Sequence, residues 1–292
     1  MALARLLARL DATRLDGEAL DLLDAAWRAP RAQVVGLTGP PGVGKSTLVS
    51  VCVRHWRRAG RRVAVVAVDP SSRRTQGAIL GDRTRLELDP EDAGVFVRSV
   101  AARDRLGGLA TVVLPTVVVL RALFDIVLVE TVGVGQSETE IRDVADTVVL
   151  AVQPASGDSL QFIKAGIVEI PDIAVVTKAD MTAHADRTRR ELLSVLRVQP
   201  DKTVWCPAIE TVSAATGDGI ERLLERIDAH HRHLTARGDL AARRHAQACL
   251  WLETMLRQEV GRRGLESFAA ALAALRGDMT RPPLRGLAWL EP

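Results

Sequence analysis

One stretch constrains the fold of this chain more than any other: the glycine-rich loop Gly-Pro-Pro-Gly-Val-Gly-Lys-Ser at residues 39–46. It fits the pattern of a glycine, four residues and then glycine, lysine and serine or threonine, which binds the phosphates of nucleotides. A short apolar stretch at 34–38 precedes it, and apolar residues with helical spacing follow it from Leu48 to Trp56. A strand, a glycine loop and a helix start are the context that this pattern requires. The sequence therefore predicts a nucleoside triphosphate site.

The residue types in this loop suit phosphate binding. Its glycines let the backbone curl so that several N–H groups point inward at phosphate oxygens, and the helix N-terminus adds a positive dipole. Lys45 can neutralise the β- and γ-phosphates during hydrolysis, and the hydroxyl group of Ser46 can bind Mg²⁺. The predicted phosphate-binding residues are Gly39, Gly42, Val43, Gly44, Lys45, Ser46 and Thr47.

Composition and charge exclude several classes of partner. Hydrophobic residues make up 47% of the 292 residues and charged residues 26%, which is typical of a globular protein with an ample core. The formal charge is only +3, and no dense basic tract with interleaved aromatics suggests nucleic-acid binding. We expect Arg243 and Arg244 to lie on a solvated helix face. The most apolar run, 109–120, contains Pro115 and is too short to span a membrane.

The cysteines and the N-terminus favour a cytoplasmic protein. The three cysteines are widely separated and form no pair of the metal-binding type, so reduced thiols are expected. The N-terminus has the pattern of an amphipathic helix with acidic residues close behind it, which is not that of a signal peptide.

The order of elements predicts an α/β fold, a P-loop NTPase with a mostly parallel, doubly wound sheet and helical N- and C-terminal extensions. We divide the chain into an N-terminal helical extension with two short helices (1–30), a P-loop domain (31–236) and a C-terminal helical extension (237–292). Residues 107–123 and 239–276 are predicted to be helical throughout, and the tail after Gly277 to be irregular. The predicted strands are 34–38, 63–68, 95–98, 125–130, 147–152, 173–177 and a last one that begins at 204.

Three acidic residues, Asp69, Asp82 and Glu130, fall just past predicted strands or in the adjoining loop. Phosphoryl transfer needs Mg²⁺, a hard ion that prefers oxygen ligands, so these carboxylates are candidate metal ligands. Asp69 and Asp82 can also be read as ordinary turn residues. Glu130 is a good candidate for sensing the γ-phosphate, because it ends an apolar strand and is followed by Gly133, whose N–H group can contact that phosphate. Gln136 is a candidate for positioning the attacking water, or a cap of the next helix.

Two further segments predict that the base is guanine. Thr177-Lys178-Ala179-Asp180 resembles the guanine-reading motif Asn-Lys-x-Asp, with threonine in place of asparagine. The carboxylate of Asp180 can accept hydrogen bonds from the ring N–H and the exocyclic amine of guanine, and the stem of Lys178 can lie along the base. Thr177 keeps a hydroxyl group but loses the reach of an amide. The stretch Ser213-Ala214-Ala215 resembles the second base loop, so we expect GTP rather than ATP.

Taken together, these motifs resemble the MeaB/ArgK family of P-loop GTPases. The most specific match is the run Glu-Thr-Val-Gly-Val-Gly-Gln-Ser at 130–137, and the matching stretches cover roughly residues 30–230. The resemblance implies a homodimeric GTPase chaperone for an adenosylcobalamin-dependent acyl-CoA mutase. It makes 31–236 the P-loop GTPase domain and 237–292 the dimerising extension. It also implies that Mg²⁺ is bound by Ser46, Asp69, Asp82 and Glu130. It makes residues 157–164, with Asp158, Gln161 and Lys164, a switch that signals the nucleotide state to the mutase.

Two other functions stay open on sequence alone. A small-molecule kinase would use the same phosphate loop but would need an acceptor pocket, which no segment clearly supplies. A metal-insertion GTPase would need a cluster of cysteine or histidine near the nucleotide, and His230, His231 and His233 are the only candidates. We expect these histidines to lie at a solvated helix end rather than at a metal site.

Overall fold

The computed structural model describes residues 2–10, 15–70, 86–102, 108–131, 140–154, 171–196 and 205–290. Its strands are β1 (Gln33–Thr38), β2 (Val63–Pro70), β3 (Val95–Ala102), β4 (Ile126–Thr131), β5 (Thr147–Val152), β6 (Ile173–Val176) and β7 (Ala208–Thr211). Its α-helices are α1 (Ala2–Leu10), α2 (Gly17–Arg28), α3 (Lys45–Arg58), α4 (Gly108–Leu123), α5 (Thr182–Leu196), α6 (Ile220–Arg237), α7 (Asp239–Leu265) and α8 (Ala269–Gly277). Short 3₁₀ helices cover Ile141–Asp143, Glu266–Phe268 and Pro283–Leu290.

The strands form one parallel sheet in the order β3-β2-β4-β1-β5-β6-β7. Every residue of β1, β4 and β5 is buried, as expected for strands that helices cover on both faces. Successive side chains of β1 point to opposite faces: Val34 joins a core with α2, α4 and α7, and Val35 joins one with α3 and α6. The predicted doubly wound α/β fold is confirmed.

Several predicted elements need correction. The last strand is 208–211, because the chain at Trp205 is not in the sheet; Val204 lies outside the described residues. The segment 239–276 is not one helix, since Gly261 has φ 70° and ψ −178° and a 3₁₀ turn separates α7 from α8. The tail is not irregular, because 283–290 forms a 3₁₀ helix that packs against α7.

Valines and a proline do not break α4, although both disfavour helices. The helix contains Pro115, but Val113, Val117 and Val118 are almost completely buried against the sheet. Burial of this apolar surface outweighs the low helix propensity of valine and proline, so the predicted helix forms. In the described part of the chain, no helix is both long and apolar enough to cross a membrane.

A buried ion pair attaches α7 to the sheet at the amino-terminal ends of its strands. It corrects the prediction for Arg244. The guanidinium group of Arg244 donates to both carboxylate oxygens of Asp146, with N–O distances of 2.8 and 2.6 Å, and to the carbonyl oxygen of Ala32. Asp146 also accepts a hydrogen bond from the N–H group of Val34, at the start of β1. Arg243 donates to Asp172, just before β6. These arginines therefore connect elements instead of facing solvent.

The histidines at 230–233 are also placed differently from the prediction. His230 is completely buried, and its Nδ1 lies 2.8 Å from the hydroxyl oxygen of Thr147. Trp205 covers it, with the ring centroids 4.8 Å apart. Burial lowers the pKa of the His230 imidazole to about 4, although Asp172 acts in the opposite direction. The described residues contain no group of three histidine, cysteine or acidic side chains that could hold a metal ion.

Candidate nucleotide-binding site

The loop between β1 and α3 has a backbone that only glycine allows at several positions. Gly39, Gly42 and Gly44 have φ values of 142°, 77° and 93°. A Cβ atom on Gly39 would lie 2.2 Å from the carbonyl oxygen of Ala151 in β5, so the loop passes directly over the neighbouring strand. The curled backbone expected from the sequence is present.

Lys45 is held at the mouth of this loop. Its side chain is buried, and its Nζ donates to the carbonyl oxygens of Gly39 at 2.6 Å and Pro40 at 2.9 Å. A buried ammonium group is costly unless it has partners, and the loop carbonyls provide them. The positive charge therefore stands beside the cavity described next.

A cavity of about 240 Å³ lies at the carboxyl ends of β2 and β4, in front of the phosphate loop. On one side the loop and the start of α3 line it, and on the other side Ala67, Val68, Glu130 and Thr131 do. In parallel α/β sheets, ligands bind at this edge, where connections run to opposite faces of the sheet. The loop residues that line the cavity are Pro41, Gly42, Gly44, Lys45, Ser46 and Thr47.

Two of the predicted metal ligands meet beside the cavity. The hydroxyl group of Ser46 donates to Oε1 of Glu130 at 2.8 Å. A hydroxyl and a carboxylate oxygen in contact, next to a space for phosphates, fit the oxygen ligands that Mg²⁺ prefers. Asp69 follows Val68 in β2, with its backbone paired to Ala101, and its side chain lies outside the described atoms. The predicted site residues outside the described ranges are Asp82, Gly133, Gln136, Asp158, Gln161 and Lys164.

The first predicted base loop follows β6 and touches the phosphate loop directly. The hydroxyl group of the buried Thr177 lies 2.8 Å from the carbonyl oxygen of Val43 and 3.2 Å from that of Val152. Nζ of Lys178 donates to the carbonyl oxygen of Gly42 at 3.0 Å. The backbone of Lys178 is left-handed, with φ 52°. The sequence motifs at 39–46 and 177–180 therefore form one continuous surface.

The second predicted base loop is connected to the first. The N–H group of Ala179 donates to the carbonyl oxygen of Val212, and the hydroxyl group of the buried Ser213 donates to Asp180 at 2.8 Å. Asp180 itself is exposed, as a residue that reads a base needs to be. Ala214 is half-buried and Ala215 exposed. The structure thus brings together the described members of the predicted base site.

Sequence reasoning missed Gln153, the first residue after β5. Its Oε1 accepts a hydrogen bond from Nζ of Lys178 at 2.7 Å. It also missed the hydrogen bond from Thr131 to Thr38, 3.0 Å long, which joins the ends of β4 and β1. The signal was present for Gln153, because a polar residue at or directly after the end of a buried strand was the pattern that marked Asp69 and Glu130.

Replacing Thr177 with asparagine is expected to tighten GDP binding about three- to tenfold. The threonine hydroxyl has one proton, which it donates to a backbone carbonyl, whereas an amide has two and can also reach a ring nitrogen of the base. N7 is an acceptor in both guanine and adenine, so the ratio of GDP to ADP affinity should not change. Titration calorimetry with both nucleotides measures this, and Thr177→Val serves as control. Weaker GDP binding by Thr177→Asn would contradict the prediction.

Comparisons with known proteins agree with this geometry. A family model described as methylmalonyl Co-A mutase-associated GTPase MeaB matches residues 3–268. A Pyrococcus horikoshii protein named as a GTPase is 46% identical over 220 residues, which are 74% of this chain and 69% of that one. A Mycobacterium bovis protein, also named as a GTPase, is 40% identical over 89% of this chain and 79% of its own length.

Two more relatives were found among animal proteins and solved structures. The mouse mitochondrial protein named methylmalonic aciduria type A homolog is 37% identical over 77% of this chain and 55% of its own length. The crystal structure of a protein called LAO/AO transport system kinase superposes with a TM-score of 0.64 at 26% identity, covering 99% of this chain and 97% of the other.

Proposed function

Because the chain belongs to the family of methylmalonyl-CoA mutase-associated GTPases MeaB, we propose that it is a nucleotide-dependent chaperone of an adenosylcobalamin-dependent acyl-CoA mutase. As a member of this family it is a P-loop GTPase that binds guanine nucleotides. The observation that supports guanine-nucleotide binding most directly is the contact of Thr177 and Lys178 with the phosphate loop. It brings the predicted base-reading motif and the phosphate motif together, as a single nucleotide site requires.

In the proposed reaction, water attacks the γ-phosphate of GTP and gives GDP and free phosphate. Lys45, whose ammonium group stands at the cavity mouth, stabilises the negative charge that develops on the transferred group. Mg²⁺ held by Ser46 and Glu130, with Asp69 and Asp82 completing the set, would add positive charge at the same phosphates. Gln136 is our candidate for positioning the water.

The proposed output is a change in the loops that follow the nucleotide. GTP orders the segments 69–85, 130–138 and 157–164, and hydrolysis releases them, as in other nucleotide switches. Residues 157–164, with Asp158, Gln161 and Lys164, carry this signal to the mutase. The C-terminal extension 237–292 is the proposed dimerising segment, and the cytoplasm is the proposed location.

The test is GTP hydrolysis by the purified protein with and without methylmalonyl-CoA mutase. We expect the mutase to accelerate phosphate release and to co-elute with the protein in size-exclusion chromatography. Lys164→Ala should keep the basal rate and lose the acceleration. Unchanged acceleration in this variant would refute the signalling role of 157–164, and no acceleration of the unmodified protein would refute the chaperone proposal.

The name of the similar solved structure gives a small-molecule kinase as a second candidate. Product analysis separates the two functions, since a GTPase releases free phosphate whereas a kinase yields a phosphorylated acceptor. The metal-insertion reading loses its support in the described residues, because His230 is buried against Thr147 and Trp205.

A further inference from the structure

Gln153 stands at the carboxyl end of β5, beside the two motifs that bind the nucleotide. It is half-buried, and its side-chain oxygen accepts a hydrogen bond from the ammonium group of Lys178 at 2.7 Å. An ammonium group can only donate, so the chemistry of the contact requires the oxygen end of the carboxamide to face it. The orientation of this side chain is thereby determined.

Lys178 is fixed at both ends. Its backbone is left-handed, and the residues on either side are tied to the sheet, since the N–H group of Thr177 donates to Val152 and that of Ala179 to Val212. Its ammonium group bridges Gln153 and the carbonyl oxygen of Gly42. Between these anchors runs the apolar stem of an exposed lysine, which without them would occupy many rotamers.

We propose that Gln153 is a positioning residue for the nucleobase: it holds the stem of Lys178 in the place where the flat face of the base packs. This rests on the proposed guanine-nucleotide site. A platform that is ordered before the ligand arrives costs less conformational entropy on binding, so the contact strengthens affinity. Because Gln153 acts through Lys178 at the base, it leaves the chemistry at the γ-phosphate unchanged.

The experiment compares ligands with and without a base. Gln153→Met keeps the length of the side chain and removes the acceptor. It should raise the Kd for GDP about three- to tenfold, the cost expected when one long side chain becomes ordered only on binding. The Kd for inorganic tripolyphosphate, which occupies only the phosphate loop, and kcat at saturating GTP should stay as in the unmodified protein.

Two further variants separate positioning from a general structural effect. Gln153→Glu keeps an oxygen acceptor for Lys178, so its GDP affinity should return to within about twofold of the unmodified protein. Gln258→Met is the same chemical change on α7 and should change the Kd for neither GDP nor tripolyphosphate. The buried Nε2 of Gln258 makes no hydrogen bond in the described structure.

The outcomes separate this inference from the proposed function. If the unmodified protein binds GDP and Gln153→Met binds it equally well, the role of Gln153 is refuted and the nucleotide site stands. Equal weakening of GDP and tripolyphosphate would also refute it, because the side chain would then act through Gly42 and the phosphate loop. If the unmodified protein does not bind GDP, the proposed function fails and the inference with it.

Discussion

Replacing Lys45 with methionine is expected to lower kcat/KM for GTP hydrolysis by about 10²- to 10³-fold, the usual effect of removing one preorganised charged group from a transition state. The ammonium group is buried and fixed by the carbonyl oxygens of Gly39 and Pro40, so it does not reorganise from solvent during the reaction. Methionine keeps an unbranched apolar stem and removes only the charge and the donors. Phosphate release at a range of GTP concentrations separates the effects on kcat and KM.

Arg58→Met is the matched control for Lys45→Met. Arg58 is the last residue of the same 14-residue helix, α3, and is exposed, so the change removes one positive charge about 20 Å away. We expect its kcat/KM to match that of the unmodified protein. A Lys45→Met protein that is folded by circular dichroism and keeps normal kcat/KM would show that the cavity is not where GTP is hydrolysed.

Replacing Asp146 with alanine is expected to lower the free energy of unfolding by about 3–5 kcal/mol, which is typical when one partner of a buried ion pair is removed. Asp146 is 1% exposed and Arg244 is 8% exposed, so the guanidinium group would be left buried without its carboxylate. Burial raises the pKa of Asp146, but the charge and hydrogen bonds of Arg244, together with the N–H group of Val34 and the charge of Arg121, outweigh this, and the pKa lies below its ordinary value. The pair is therefore charged at neutral pH, where urea unfolding would be measured.

The comparison for this prediction is an ion pair on the surface. Arg187 and Glu191 are one helical turn apart on α5, and the arginine side chain is 76% exposed. Glu191→Ala should cost no more than about 0.5 kcal/mol, because solvent screens such pairs. The double variant of Asp146→Ala with Arg244→Met should be more stable than the sum of the single effects predicts. If Asp146→Ala costs as little as Glu191→Ala, the buried pair does not hold α7 on the sheet.

The parts of the fold that could be predicted are those with strong local signals. Continuous apolar strands such as 147–152 and 173–176 were found within a residue because a parallel sheet buries both faces. The last strand was misplaced, since 208–211 has only one buried residue, Ile209, whereas the aromatic Trp205 drew the prediction to an earlier position. The position of that strand is determined by its packing against α6 and β6, which its own residues do not encode.

For the site, sequence predicted which residue types meet but not what each one touches. The phosphate loop and Glu130 were expected near each other, and the hydrogen bond from Ser46 to Glu130 joins them. That Thr177 bonds to the phosphate loop depends on a contact between residues 134 positions apart, which no local pattern encodes. Arg244 was wrongly expected to face solvent for the same reason, because its partner Asp146 lies 98 positions away in sequence.

The attachment of α7 to the sheet determines which truncated fragments of this protein can fold. Arg244, Gln247 and Trp251 donate side-chain hydrogen bonds to main-chain carbonyls that belong to earlier parts of the chain: Ala32, Arg142, Ala145 and Thr111. A fragment that stops at Gly238 would keep every nucleotide motif but leave these acceptors unpaired and the face of α4 uncovered. A recombinant fragment that ends at the turn at Gly238 is therefore expected to aggregate.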